Sequence, residues 1–180
     1  MRRLILQTSL SIDGYVAALD GSHPWSEGGD GDENVKRWIL DSVWAAGAHL
    51  MGRVTYEEMA SFWPTSDSDF ARPMNEIPKV VFSNSLTTAD WPDTTIASGD
   101  LTEAVTKLKQ EHSDSYLLAQ GGVRFARSLV EAGLIDEYRL VVHPVVLGAG
   151  ERLFTTPLTI EPISTTAFSR GAVAHVFTAH

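Results

Sequence analysis

Apolar residues along this chain fall into two alternating patterns: short unbroken runs, and runs spaced by three and four. Leu4-Ile5-Leu6 opens a buried strand that continues through Ser9-Leu10-Ser11-Ile12 to a turn signal at Asp13-Gly14. Val35, Trp38, Ile39, Val43 and Ala46 recur at helical spacing, and Gly47 suits the left-handed position just past a helix end. His49-Leu50-Met51 is the next strand, joined through Gly52-Arg53 to a helix from about Thr55 to Ser61. Val80-Val81-Phe82 and Thr94-Thr95-Ile96-Ala97 are β-rich. Asp100 followed by Glu103 forms a capping-box signature for a helix through about Glu111. Tyr116-Leu117-Leu118-Ala119, Gly121-Gly122 and a helix over Val123, Phe125, Ala126, Leu129 and Val130 repeat the strand, glycine, helix order, and Gly133 ends it. Beyond Gly133 only strands are predicted: Tyr138 to His143, Val145 to Leu147, Leu158 to Ile163 and Val173 to Phe177.

Two stretches break the rhythm. Asp20 to Glu33 is too rich in Gly and carboxylates for a regular element, and Phe62 to Pro78 holds prolines 64, 73 and 78 among Asp and Ser residues. Both read as long loops. Strands alternating with helices, then a β-rich tail, predict an α/β domain with a mixed, mainly parallel sheet. With 180 residues and no internal repeat or linker, residues 1–180 read as a single domain.

Composition narrows the partners. The chain is 43% hydrophobic and 21% charged, a globular mixture. Fourteen basic against 23 acidic residues leave a net charge of −9, which opposes a nucleic-acid partner. With no cysteine, thiol nucleophiles and Cys-based zinc sites are excluded. The leading apolar stretch stops at Gln7-Thr8-Ser9, short of the roughly 7–15 residues of a signal-peptide core, and no run nears the roughly 18 of a membrane span. A soluble, cytoplasmic protein is expected.

Candidate chemistry lies at the glycine junctions. Gly121-Gly122, between a buried strand and a helix, lets a ligand approach free N–H groups at a positive helix terminus, and Arg124 and Arg127 add charge there. Gly52-Arg53-Val54-Thr55 is a second junction of the same design. Neighbouring junctions of this kind can hold the phosphates of one dinucleotide; taken singly, each is equally a tight turn with solvated arginines. Ser83-Asn84-Ser85 adds small polar groups at the same sheet edge, though such triplets are commonly plain turns. For proton chemistry the candidates are Asp13, Glu27, Asp30, Asp32 and Glu33 beside Trp25, since a carboxylate shielded by an aromatic can have its pKa raised.

Other templates fail. Gly148-Ala149-Gly150 begins a dinucleotide fingerprint but has Leu153 where its last glycine belongs, so a hairpin bend is expected. An EF-hand laid on Asp30, Asp32 and Asn34 meets Val35 at its glycine position. The six histidines show no metal-ligand spacing, and His143 and His175 read as strand residues.

Taken in order, Ser11 to Ala17, Pro24-Trp25, Leu50 to Glu57, Val80 to Ser83, Gly121-Gly122, Gly133 to Glu137 and His143 to Gly150 resemble the dihydrofolate-reductase-like superfamily. The likeness is greatest to its branch formed by the C-terminal reductase domain of the bifunctional riboflavin-biosynthesis protein, and it covers nearly the whole chain. The resemblance implies a three-layer α/β/α fold, NADPH across the carboxyl ends of the strands, and a homodimer. Position by position, it implies that Gly52, Arg53 and Thr55 cradle cofactor phosphates, that Ser83 and Asn84 meet the 2′-phosphate, and that Gly121, Gly122, Val123 and Arg124 face the pyrophosphate and nicotinamide. On the substrate side it implies an acidic residue after Pro24-Trp25; Asp30, Asp32 and Glu33 compete, and Asp32 is favoured for its place at the helix start, with Asp13 and Trp25 beside it. The riboflavin branch acts on a phosphoribosylamino-pyrimidine, and the basic residues nearest this region are Lys36 and Arg37. The expected activity is an NADPH-dependent oxidoreductase that delivers hydride to a C=N or C=O group. The rivals are a dihydrofolate reductase and a catalytically idle nucleotide-binding module.

Overall fold

A computed structural model describes residues 1–25 and 32–179. Strands β1 (Leu4–Ser11), β2 (Tyr15–Ala17), β3 (Ala46–Gly52), β4 (Lys79–Phe82), β5 (Thr94–Ala97), β6 (Tyr116–Ala119), β7 (Glu137–His143), β8 (Glu151–Arg152), β9 (Ile160–Ala167) and β10 (Val173–Ala179) are joined in part by helices α1 (Glu33–Trp44), α2 (Arg53–Phe62), α3 (Ala71–Glu76), α4 (Leu101–Gln110) and α5 (Val123–Glu131). The main sheet has the order β5-β4-β3-β6-β1-β7-β10-β9, while β2 and β8 pair separately. From β5 to β7 every pairing is parallel, and β10 runs antiparallel to both β7 and β9.

Alternate residues of the central strands feed opposite faces, as the two-residue period of a strand requires. Leu4 and Leu6 of β1, Val80 of β4 and Leu117 of β6 pack with Val105 of α4 and with Ala126 and Leu129 of α5. On the other face, Ile5, Val81 and Leu118 meet Val43 of α1, Tyr56 of α2 and Met74 of α3. The result is the three-layer α/β/α arrangement with a mainly parallel sheet. Asp32 and Asp100 cap α1 and α4 by accepting the N–H of Asn34 and Glu103.

Three expectations change. Ala46 and Gly47 belong to β3 rather than to the end of α1, which stops at Trp44. A β-carbon on Gly47 would lie 2.5 Å from Arg2 Nη2 and 2.7 Å from Ser115 Cβ, so this glycine makes room for its neighbours. Val145 to Leu147 is not a strand, because Asp13 takes the N–H groups of Leu147 (3.1 Å) and Gly148 (2.7 Å) and bends the segment. The span from Phe62 to Pro78 contains a 3-10 turn at Trp63–Thr65 and helix α3, folded because Met74 is buried and Trp63 and Phe70 pack around it. Among the described residues, no helix is long and apolar enough to cross a membrane.

His49 of β3 is completely buried, with Nδ1 2.8 Å from the Gln120 side-chain amide. Burial pushes its pKa down to about 4. Below the ordinary value of about 6.5 the unfolded chain binds a proton that the folded protein refuses, so stability falls as pH drops from 6.5 toward 4. The loss over that window is about 3 kcal/mol from this group. Urea unfolding at pH 7 and pH 4.5 should show a smaller pH difference in His49→Gln than in the parent protein.

Candidate functional site

The carboxyl ends of β3 and β6, neighbours in the sheet, each open into a helix through glycine. Gly52 is the N-cap of α2 and Gly122 the N-cap of α5, and neither provides a capping side chain. Neither helix has an acidic residue in its first turn, whereas α1 and α4 have an aspartate cap and a glutamate there. A helix start leaves up to four N–H groups without intrahelical partners, so α2 and α5 together present a concentrated positive pole.

The two termini touch. Gly121 and Gly122 both have positive φ (62° and 68°), and their backbone crosses directly over Thr55. A β-carbon at Gly121 would sit 2.6 Å from Thr55 Cγ2, and one at Gly122 would sit 2.6 Å from Thr55 Oγ1. Glycine is therefore required twice, by conformation and by space.

A cavity of about 750 Å³ begins at this double terminus and extends beside the second half of β1. Gly52, Arg53, Thr55, Gly121, Gly122, Val123 and Arg124 all line it, so seven of the nine cofactor positions expected from the sequence come together. Arg53 is half exposed and pairs with Glu57 at 2.9 Å and 3.0 Å, an i,i+4 surface contact of small net stability. Arg124 is exposed and has no ion pair among the described residues. The remaining two positions do not line the cavity. Ser83 follows β4 and its hydroxyl accepts the N–H groups of Ser85 and Leu86, while Asn84 Oδ1 accepts that of Gly99 at 2.8 Å.

The far end is built from Gln7, Thr8 and Ser9 of β1, Val16 and Ala17 of β2, His23 and Trp25. The Trp25 indole stacks on His143 with ring centres 5.3 Å apart and planes 9° from parallel. His143 Nε2 lies 3.1 Å from Ser9 Oγ, and His23 Nδ1 lies 2.8 Å from the Val16 carbonyl.

Of the three catalytic candidates, Trp25 alone lines the cavity. Asp13 stands outside it, held to the Leu147 and Gly148 amides, and its hydrogen bonds with Ser11 and these amides lower its pKa to about 2. Asp32 also stands outside. One oxygen caps α1, and the other accepts from Ser169 Oγ (2.8 Å) and the Arg170 amide (3.2 Å); these bonds, Ser169 foremost, hold its pKa below the usual carboxylate range. Glu33 pairs with Lys36 at 2.7 Å. Glu27 and Asp30 lie outside the described residues. The contribution of Gln7-Thr8-Ser9 was missed, although a polar triplet inside a central parallel strand, normally apolar throughout, is a detectable signal.

A family model described as the RibD C-terminal domain matches residues 2–174. An uncharacterized protein of Bacillus subtilis (strain 168), YyaP, is 27% identical over 186 residues, which is 98% of this chain and 94% of the relative. Among solved structures, a putative riboflavin biosynthesis protein from Shewanella sp. PV-4 superposes with a TM-score of 0.79 at 22% identity, covering 100% of this chain and 99% of the other. A dihydrofolate reductase from Enterococcus faecalis, complexed with NADP(H), gives a TM-score of 0.67 at 13% identity, covering 99% and 96%. The dihydrofolate-reductase-like fold expected from the sequence is thereby established.

The glycine crossing has a measurable consequence. Gly121→Ala should lower stability by about 1–3 kcal/mol, through positive-φ strain and collision with the Thr55 methyl. Adding Thr55→Ser removes that methyl and should recover part of the loss in urea unfolding. Equal stability of the single and double variants would argue against the contact.

Proposed function

Because the chain belongs to the RibD C-terminal domain family, a family of reductase type, we propose that it is an NADPH-dependent oxidoreductase that reduces a C=N or C=O group of a small heterocyclic or sugar-amine substrate. The observation that carries this reading is the pair of glycine-capped helix N-termini, α2 and α5, meeting at one cavity beside Arg124, which has no ion pair among the described residues.

The donor set suits a dinucleotide diphosphate. The Gly121-Gly122 backbone leaves a cradle without side chains, the amides of both termini would donate to a diphosphate held there, and the guanidiniums of Arg53 and Arg124 would add charge-assisted hydrogen bonds. Ser83 and Asn84, just past β4, would turn from their present local bonds to a 2′-phosphate. When bound, NADPH supplies the hydride.

The chain's own residues orient the reactants and shield them from water. Trp25, locked against His143, forms the wall of the far end, and Thr8 and Ser9 offer hydroxyls at its edge. Asp13 and Asp32, each accepting backbone N–H bonds, stay ionised at neutral pH and are unsuited to giving up a proton. The proton that completes the reduction then comes from Glu27 or Asp30, which follow Trp25 in the sequence, or from solvent.

The family resemblance implies a homodimer, and we also propose that it forms through the exposed edge strand β9. Seven of its eight residues are exposed, covering both faces, and Ile163 is among the exposed large apolar side chains. A strand that buries neither face in its own chain is an unprotected edge unless a partner covers it.

NADPH should raise the melting temperature by several degrees and NADH by less, and Arg124→Ala should weaken NADPH about ten-fold. If neither nucleotide shifts the melting temperature at millimolar concentration, the cofactor assignment fails. Light scattering should give twice the monomer mass, and Ile163→Lys should return the protein to monomers; a monomeric parent protein would refute the dimer.

A further inference from the structure

The charge along the cavity is divided unevenly. Its two arginines, Arg53 and Arg124, both stand at the helix termini. Among the described residues no lysine or arginine lines the end formed by Ser9, Ala17, His23 and Trp25, and Glu151 does contribute a carboxylate to the cavity wall. Of the basic side chains on neighbouring elements, three are engaged, and Arg37 of α1 is exposed but does not line the cavity. Arg127 pairs with Glu151 at 3.3 Å; Arg152 lies over the Tyr15 ring at 4.4 Å and donates to its hydroxyl at 3.0 Å; Lys36 pairs with Glu33. Residues 26–31 read Ser-Glu-Gly-Gly-Asp-Gly and contain no basic side chain.

A phosphate monoester carries roughly −1.5 to −2 charge at pH 7. Moving it out of water beside a carboxylate, without a guanidinium or ammonium to meet it, is unfavourable. The same end is well prepared for a flat ring. Stacking on His143, which Ser9 holds in turn, fixes the indole plane of Trp25 before any ligand arrives, so little ordering is needed on binding.

From these features, and resting on the reductase reading above, we infer that the Trp25 end of the cavity takes a planar nitrogen heterocycle that carries no phosphate. In this respect the chain departs from the phosphoribosylamino-pyrimidine substrate of the riboflavin branch it resembles. The cavity's two arginines serve the cofactor, and the substrate is held by stacking and by hydrogen bonds to Thr8, Ser9 and His23.

The test is calorimetric titration of the full chain, with and without saturating NADPH, using three probes: 2,4-diaminopyrimidine, a ribosylaminopyrimidine, and the 5′-phosphate of the latter. The phosphate ester is expected to bind no tighter than its parent, and Trp25→Ala to weaken the unphosphorylated probes about ten-fold or more, the usual scale of ring stacking. A phosphate ester that binds ten-fold tighter than its parent overturns the inference, as does failure of all three probes to bind at millimolar concentration. The NADPH titration itself is read separately. Loss of NADPH binding sinks the reductase reading, whereas NADPH binding with preference for the phosphate ester sinks only this inference.

Discussion

The site depends on a single close crossing, the passage of the Gly121-Gly122 backbone over Thr55. Because neither glycine has a side chain, the start of α5 can settle against the start of α2, and two helix termini that would otherwise repel are held side by side. Gly52 assists from the other side, since a β-carbon there would lie 3.2 Å from Phe125 Cβ. The buried layers beneath make this arrangement stiff: β3 and β6 are adjacent and parallel, and Leu50 and Ala119, paired near their ends, are both buried. Two like poles brought this close favour an anion between them, and the cost of their proximity is offset when one is bound.

This local arrangement reconciles two facts about charge that pull in opposite directions. The chain carries a net −9, which gives it no long-range attraction for polyanions. Backbone amides at helix starts contribute no formal charge to that sum, yet within the cavity they act over a few ångströms, where Debye screening is weak. Acidic residues are distributed accordingly. Glu33 and Glu103 sit in the first turns of α1 and α4, where they stabilise the helix start, and the corresponding turns of α2 and α5 have none.

Much of the fold was legible in the sequence because its central strands are short apolar runs bounded by glycine or aspartate. Leu4-Ile5-Leu6, Val80-Val81-Phe82 and Leu117-Leu118-Ala119 are apolar on consecutive positions since both faces of the sheet are covered, and that pattern is visible without coordinates. Gly47 misled for a physical reason: glycine past a helical run signals a left-handed cap, but here it makes space for Arg2, a residue 45 positions earlier in the chain that no local window contains. Val145 to Leu147 misled similarly, its apolar run being bent by Asp13 from a distant turn. The glycine junctions were legible because they are local. The partition between cavity carboxylates and structural ones was not, since it depends on which distant amides reach Asp13 and Asp32.

Those two carboxylates still shape the site from outside it. Asp13 ties the turn after β1 to the loop before β8, and β8 pairs with β2, whose Val16 and Ala17 form a wall of the cavity. Asp32 joins the start of α1 to the turn between β9 and β10, through Ser169 and Arg170. Their hydrogen bonds hold them ionised, so they act as fixed clamps rather than as exchangeable proton carriers. His143 completes the arrangement in the opposite sense. Burial lowers its pKa, which favours the neutral imidazole, so its stack with Trp25 is a contact of two neutral rings. The far end of the cavity is therefore positioned by charges that lie outside it, while its own ring platform stays uncharged. On the function proposed above, such an end would discriminate by ring shape and hydrogen bonding, and would leave the recognition of phosphate to the helix termini on the other side.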